Sequence, residues 1–174
     1  MRPRRLLALS IVAACGGASE DDDGGLPPDP CALVSEVPGG TCELGLGNAF
    51  SPIVNGQDIT LELGSQGLWM FVVNARIPEG AVSAGDFAGV TALAKLETTG
   101  EVTSLEVSCR VRALVPAGAG YLQLESPYLL PMRPDLTAKL DNARVSLTLE
   151  VRDPDGNVAR DARTLVTHIP SAAR

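Results

Sequence analysis

The residues that could do chemistry in this 174-residue chain begin with a single histidine, His168. Hydrolysis through a serine or cysteine nucleophile normally needs a histidine base beside the nucleophile, so any such site would have to use this residue. His168 lies six residues from the C-terminus, and no Gly-x-Ser-x-Gly element occurs in the chain. We therefore predict that the protein has no catalytic residue and is not an enzyme, with a hydrolase that uses His168 or the loop carboxylates as the alternative.

The sequence does not predict a metal site either. A blue-copper site needs two histidines and one cysteine with an axial methionine, so one histidine beside Cys109 and Met70 is not enough. Residues 153–157 (Asp-Pro-Asp-Gly-Asn) match the start of a calcium loop, but Val158 and Thr164 stand where that loop needs glycine and glutamate. A hairpin turn explains the same residues, because proline presets φ and glycine accepts a left-handed conformation. We expect no metal and no cofactor; a weak calcium site at this turn is the alternative.

The N-terminal segment that ends at Cys15 has the features of an export signal. Three arginines (Arg2, Arg4 and Arg5) precede an apolar run of nine residues, 6–14, and two glycines follow Cys15. A basic start, a short apolar run and small residues before the cleavage site are typical of a secretory signal peptide. A membrane-spanning helix would need about 20 apolar residues. We predict that residues 1–14 are a signal peptide.

The last four residues of this segment, Val12-Ala13-Ala14-Cys15, resemble the lipobox of bacterial lipoproteins. In that family the cysteine thiol receives a diacylglyceryl group and the cysteine becomes the new N-terminus. The resemblance implies lipidation of Cys15 and a location in the cell envelope, with the membrane contacted through the N-terminal lipid and the domain extracytoplasmic. Gly16 is not the aspartate that retains lipoproteins at the inner membrane, which favours the outer membrane.

The remaining chain divides into a tether and one domain. Residues 1–14 hold three of the 14 basic residues and no acidic one, so 11 basic and 21 acidic residues remain, a formal charge of −10. A chain this acidic is not expected to bind nucleic acid. Residues 15–30 contain four consecutive acids (20–23) and three prolines, which predicts a disordered acidic tether. Residues 31–170 are then long enough for one domain.

Apolar and polar residues alternate with a period of two through most of residues 31–170. The pattern predicts strands at 59–63, 68–77, 90–97, 102–115, 143–151 and 158–169, and a strand pair over 121–130 that is broken at Ser126-Pro127. Short strands with turn signals every 8–12 residues are typical of an antiparallel β-sandwich. We predict an all-β domain, a single antiparallel immunoglobulin-like β-sandwich of about seven to nine strands, because the terminal hairpin resembles the final strand pair of immunoglobulin-like domains. A helix is the alternative at 86–96.

Three cysteines besides Cys15 are the disulfide candidates: Cys31, Cys42 and Cys109. An exported protein meets an oxidising compartment, and three cysteines allow at most one internal bridge. A turn at Pro38-Gly39-Gly40 favours pairing of Cys31 with Cys42. Cys109 would then be buried, because the alternation in 102–115 directs it to the core with Val111 and the other odd residues. A bridge from Cys109 to one of the other two cysteines is the alternative.

The stretch 50–76 resembles an element of uncharacterised secreted lipoproteins of high-GC bacteria. The resemblance lies in Gly56-Gln57-Asp58, a strand, and then the segment from Gly64 to Met70. In those proteins the second motif runs Gln-Gly-Gly-x-His. This chain has Leu68 and Met70 in place of the second glycine and the histidine, so no ligand role is implied for this segment, and the resemblance implies no activity.

These features predict a lipid-anchored envelope protein whose β-sandwich is a non-catalytic binding or structural module. The partner we expect is another envelope protein, which would bind exposed strand edges or the loops at 80–89, 116–120 and 126–135. The alternatives are an extracytoplasmic hydrolase and a module that binds a small ligand or calcium.

Overall fold

The computed structural model describes residues 28–32, 36–82, 87–105 and 108–170, and the chain in these ranges is all-β. One 3₁₀ turn (Pro134–Leu136) leads into a four-residue helix, α1 (Thr137–Leu140). The predicted signal peptide, Cys15 and the tether as far as residue 27 lie outside the described residues. The twelve strands are β1 (Val37–Thr41), β2 (Glu43–Leu46), β3 (Ser51–Pro52), β4 (Gln57–Thr60), β5 (Glu62–Leu63), β6 (Trp69–Pro78), β7 (Phe87–Leu96), β8 (Arg110–Gly118), β9 (Tyr121–Leu124), β10 (Tyr128–Pro131), β11 (Ala143–Arg152) and β12 (Asn157–His168).

The strands form one mostly antiparallel sheet in the order β1-β12-β11-β7-β8-β9-β6-β2-β3, with β4 beside β12 and with β5 and β10 beside β6. Two pairings are parallel, those of β1 and β4 with β12. Strand β8 connects the two halves of the sheet, because its first residues pair with β7 and its later residues pair with β9. The all-β class predicted from the sequence is confirmed, and the immunoglobulin-like sandwich type stays a prediction.

One apolar core contains side chains from both halves of the sheet. Strand β6 contributes Trp69, Phe71, Val73, Ala75 and Ile77, which are all buried, as their alternation predicts. Strands β7 and β11 contribute their alternate residues from the other half: Val90, Ala92, Ala94 and Leu96, and Val145, Leu147, Leu149 and Val151. The alternating burial of β7 shows that the helix considered for 86–96 is wrong for residues 87–96. Among the described residues no helix is long and apolar enough to cross a membrane.

The single long strand predicted over 102–115 is wrong. Val102 and Ser104 form isolated bridges, and the strand itself begins only at Arg110. Leu114 is buried while Val111 is 44% exposed, so the odd residues do not face the core as the pattern predicted. The physical reason is that β8 changes partners along its length, so its apolar residues do not all serve one face.

The disulfide joins Cys31 to Cys109 across 78 residues of sequence, so the preferred pairing of Cys31 with Cys42 is wrong. Residues 37–41 are the extended strand β1, paired with β12, and they hold the two cysteines apart where the sequence suggested a turn. Cys42 is a free thiol buried in the core. Cys109, predicted to be buried, is half-buried and carries the bridge.

Candidate functional site

His168, the one candidate base, lies at the end of β12 and pairs with a carboxylate on β4. Its Nε2 is 2.8 Å from Oδ1 of Asp58. The Asp58 side chain is 75% exposed and that of His168 is 34% exposed, so solvent reaches both groups. An exposed ion pair of this kind contributes about 0–1 kcal/mol to stability. The geometry is that of a surface contact between neighbouring strands.

The turn at 153–157 uses its carboxylate to hold its own backbone. Asp153 is buried, and its Oδ1 accepts hydrogen bonds from the N–H groups of Asp155 (2.9 Å) and Asn157 (2.8 Å). Its Oδ2 accepts a third from Nδ2 of Asn157 at 2.8 Å. Within the described ranges no group of three or more histidine, cysteine, aspartate or glutamate residues could hold a metal ion.

A four-residue ion cluster holds the residue before β1 against the hairpin of β11 and β12. Glu36 pairs with Arg152 and Arg160, and both arginines also pair with Glu150. Hydrogen bonds from Arg160 and then Arg152 lower the pKa of the Glu36 carboxyl from its ordinary value. Because every charge in the cluster is matched by another, its role is to fasten β1 to β12.

A groove lies between the first residues of β8 and strand β10. Strands β9 and β10 both pair with β6, and the chain between them is interrupted at Ser126-Pro127. Strand β9 also pairs with β8, whereas β10 does not, so a gap opens after the interruption. We call this gap the arginine groove; its volume is about 460 Å³, and it is lined by Leu105, Ser108, Arg110, Arg112, Tyr128, Leu129 and Pro131. Ligand pockets typically enclose about 300–1,000 Å³.

Backbone hydrogen bonds close the arginine groove at both ends. Glu125 N donates to Ala113 O at 3.0 Å at one end, and Leu105 N donates to Pro131 O at 2.8 Å at the other. Between them, the Tyr128 hydroxyl donates to the Ser108 carbonyl oxygen at 2.9 Å. Paired strands lie about 4.8 Å apart and bond directly through their backbones, whereas here a whole tyrosine side chain bridges the two sides. The groove is therefore a short interval in which β8 and β10 are not paired with each other.

One side of the groove is an unpaired edge of β10. Met132 N donates to Trp69 O at 2.7 Å, and the register places Leu130 opposite Phe71. In an antiparallel ladder only alternate residues direct their backbone groups to the partner strand. The intervening residue, Leu129, therefore directs its N–H and C=O away from β6 and into the groove, and its side chain is 50% exposed.

The other side is an unpaired edge of β8. Ala113 O accepts its hydrogen bond from Glu125, on the edge of β8 that faces away from β7. Residues two apart on a strand direct their backbone groups to the same edge, so Val111 presents its N–H and C=O to the groove. Among the described residues, the Val111 carbonyl oxygen accepts one hydrogen bond, a solvent-exposed one from Nη1 of Arg112 at 3.2 Å.

The charge of the groove comes from Arg110 and Arg112. The Arg112 guanidinium carbon lies 5.9 Å from the centroid of the Tyr128 ring, and its Nε is buried without a hydrogen-bond partner. Neither arginine is in an ion pair with any described residue. The described lining contains no histidine, cysteine or carboxylate, so it offers hydrogen bonds, positive charge and apolar surface but no base for a nucleophile.

Sequence analysis found part of this groove and missed the rest. The loop region 126–135 was predicted as an interaction surface, and its first residues line the groove. Arg110 and Arg112 were expected to be ordinary solvent-facing residues of a long strand. The interruption at Ser126-Pro127 was visible in the sequence. Which strand loses its partner there, however, can be known only from the order of the strands in the sheet.

A second and larger concavity lies on the face formed by β7, β11 and β12. It encloses about 640 Å³ and is lined by Thr91, Leu93, Lys95, Thr148, Leu149, Glu150, Arg160, Asp161 and Ala162. Its charges are of both signs, and Arg160 and Glu150 are already paired with each other. Strand β11 is paired on both sides, so no unpaired β11 edge is available there.

No protein-family model matches the chain, and no curated protein and no solved structure shows significant similarity to it.

Proposed function

We propose that the protein is a lipid-anchored cell-envelope protein and that its β domain is a non-catalytic module that binds another envelope protein. The arginine groove is the binding site, and it takes a short extended segment of the partner. The observation that carries this proposal is the pair of backbone edges at Val111 and Leu129, which face the groove from opposite sides. An extended peptide satisfies such edges by adding a strand, and pockets for its side chains provide specificity.

Two features support the anchor and the compartment. The sequence Val12-Ala13-Ala14-Cys15 follows a basic, apolar start, as in bacterial lipoproteins, and Gly16 favours the outer membrane. The Cys31–Cys109 disulfide fits an oxidising compartment outside the cytoplasm. In this proposal lipid on Cys15 attaches the protein to the membrane, and residues 15–30 tether the domain.

The non-catalytic role is supported by the separation of the groups that a hydrolase would need. His168 contacts Asp58 at the edge of β12, and the described lining of the arginine groove contains neither residue. Ser108 carries the aliphatic hydroxyl among the described lining residues, and no histidine among them could take its proton.

The peptide site is tested by NMR titration of the mature chain with blocked five-residue peptides of acidic, neutral and basic composition. We expect at least one composition to shift the amide resonances of Val111 and Leu129. Leu129→Pro removes the N–H that points into the groove and leaves the bonds from β10 to β6, so it should abolish these shifts. Leu129→Ala retains the N–H and is the matched control. Binding that survives Leu129→Pro unchanged, or no binding by any composition, would refute the peptide site.

The anchor is tested by fractionation of cells that express the full chain. Cys15→Ser, or globomycin, which inhibits lipoprotein signal cleavage, should block processing and remove the mature protein from the membrane fraction. Cys42→Ser, which alters a buried cysteine of the domain, should leave the fractionation unchanged. If neither Cys15→Ser nor globomycin blocks processing of the precursor, the lipoprotein assignment is wrong.

A further inference from the structure

Building on the proposed peptide site, we infer that the segment the arginine groove takes is acidic, with carboxylates at alternate positions. The groove presents two guanidinium groups, those of Arg110 and Arg112, beside two unpaired backbone edges. The edges select an extended backbone, and the guanidinium groups select its charge.

The two arginines differ from most other described arginines in having no carboxylate partner. Five of the remaining six are in ion pairs: Arg133 with Asp135, Arg144 with Glu97, Arg152 and Arg160 with Glu36 and Glu150, and Arg163 with Asp161. The sixth, Arg76, stacks on the Phe50 ring at 4.5 Å. In a chain with a formal charge of −7, two arginines on either side of Val111 that have no ion-pair partner among the described residues form a local positive site.

The surroundings of Arg112 favour a carboxylate over other acceptors. Its guanidinium group lies against the Tyr128 ring, and its Nε is buried without an acceptor. A guanidinium group matches the two oxygens of a carboxylate with parallel hydrogen bonds, which are stronger than bonds to neutral acceptors. A carboxylate held in the groove would supply the missing acceptor beside the ring.

The strand geometry also predicts the spacing of the acids. Successive side chains of a strand point to opposite faces, so Arg110 and Arg112 share one face of β8 and Val111 lies on the other. A strand inserted between β8 and β10 would alternate in the same way. Its residues on the arginine face should be acidic, and the residue between them should be apolar, because it lies beside the exposed side chains of Val111 and Leu129. The preferred pattern is therefore acidic–apolar–acidic.

The test compares three blocked peptides that differ only at the two positions facing the arginines: Thr-Glu-Val-Glu-Thr and its Gln and Lys counterparts. Titrations use the mature chain at low and high salt. We expect the Glu peptide to bind at least ten-fold more tightly than the Gln peptide and the Lys peptide not to bind. Raising the salt concentration should weaken the binding of the Glu peptide and leave the binding of the Gln peptide little changed.

Substitutions then assign the effect to the groove. Arg110→Gln and Arg112→Gln should each remove most of the preference for the Glu peptide over the Gln peptide. Arg144→Gln, on β11 and paired with Glu97, removes the same charge elsewhere and should leave the preference intact. Arg110 is exposed, so its variant tests the inference even if Arg112→Gln fails to fold.

The outcomes separate this inference from the proposed function. Equal binding of the Glu and Gln peptides would overturn the acidic preference and leave the peptide site standing, whereas no binding by any peptide would overturn both. The chain's own acidic run at residues 20–23 is a competing occupant. If the Glu peptide binds only after those four acids are replaced by their amides in the mature chain, the assignment to a partner is overturned in favour of that run.

Discussion

A β-carbon placed on Gly89 would lie 2.8 Å from the sulfur of Cys109, closer than real β-carbons approach other atoms. The sulfur of Cys31 would lie 3.1 Å away and the backbone of Pro30 3.2 Å away. The disulfide therefore rests directly on the backbone of β7, and glycine at position 89 provides the space for it.

Gly89→Ala should destabilise the oxidised protein by about 1–3 kcal/mol, the usual cost of overpacking. In a Cys31→Ala/Cys109→Ala background both sulfurs are absent, and the same substitution should cost much less. Urea denaturation of the four proteins measures both costs. An equal cost in both backgrounds would show that the disulfide is not the obstacle.

Removing the disulfide itself should lower the free energy of unfolding by about 4 kcal/mol, because the bridge closes a long loop of 78 residues. The Cys31→Ala/Cys109→Ala variant measures this cost in urea. Reductant should bring the wild type to the stability of this variant and should leave the variant itself unchanged. A wild type that keeps its stability after its two additional thiols have been titrated would contradict the prediction.

The free thiol of Cys42 should be inert in the folded protein. Burial, together with the negative charge of Asp161, raises its pKa to about 12. Because the thiolate is the reactive form, a thiol reagent at pH 8 should modify Cys42 only in urea concentrations that unfold the chain. Modification in native buffer at a rate faster than unfolding would refute this.

The same pKa predicts a dependence of stability on pH. The folded-state pKa is above the ordinary value of 9.0. The contribution of Cys42 to the free energy of unfolding is therefore fully present below pH 9 and is lost as the pH rises towards 12. The wild type should therefore lose stability more steeply over this interval than Cys42→Ala, which has no thiol. Parallel curves for the two proteins would count against the raised pKa.

Titration of Glu36 should report the ion cluster that fastens β1. Because the folded-state pKa of Glu36 is lowered, its contribution to the free energy of unfolding is present above pH 4.5, the ordinary pKa, and is lost as the pH falls through the folded-state pKa. Arg160→Gln removes the hydrogen bond that is the largest cause of the lowered pKa. The Glu36 pKa should therefore rise, and NMR measures it directly. Arg144→Gln acts on Glu97 and should leave Glu36 unchanged; a shift of Glu36 in this control would show a nonspecific effect of charge.

Asp153→Ala should destabilise the hairpin of β11 and β12 by about 1–3 kcal/mol, because it leaves the N–H groups of Asp155 and Asn157 without their acceptor. Thermal unfolding measures the loss. If the carboxylate serves only the turn, calcium and a chelator should give the wild type the same melting temperature. A calcium-dependent increase would restore the calcium alternative.

The sequence predicted those strands that keep one buried face along their length. β11 alternates between buried and half-buried residues, the odd-numbered residues of β6 are buried from Trp69 to Ile77, and both the hairpin at 153–157 and the interruption at Ser126-Pro127 were visible from their turn residues. β8 could not be predicted in the same way, because its partner changes from β7 to β9 along its length and its residues do not keep one buried face. The cysteine pairing failed for a related reason, since residues 37–41 pair with a strand at the far end of the chain.

The arginine groove depends on the same long-range information. The sequence shows two arginines in an alternating segment, a pattern that is typical of a solvated strand face. The loss of the β8–β10 pairing places these arginines beside two open edges. The sequence does not indicate that Arg110 and Leu129 face the same groove, because their placement depends on the order of β8, β9, β6 and β10 in the sheet.

The position of β12 in the sheet sets the order in which the chain can fold. Strands β1 and β4 both pair with β12, and the contact between Glu36 and Arg160 spans 124 residues. Strands β1 and β4 pair with no other described strand, so they cannot join the sheet until β12 has been made, whereas β2 and β3 can already pair with each other and with β6. Folding rates fall as contacts become more distant in sequence, so the addition of β1 and β4 to the sheet should be a late step in folding.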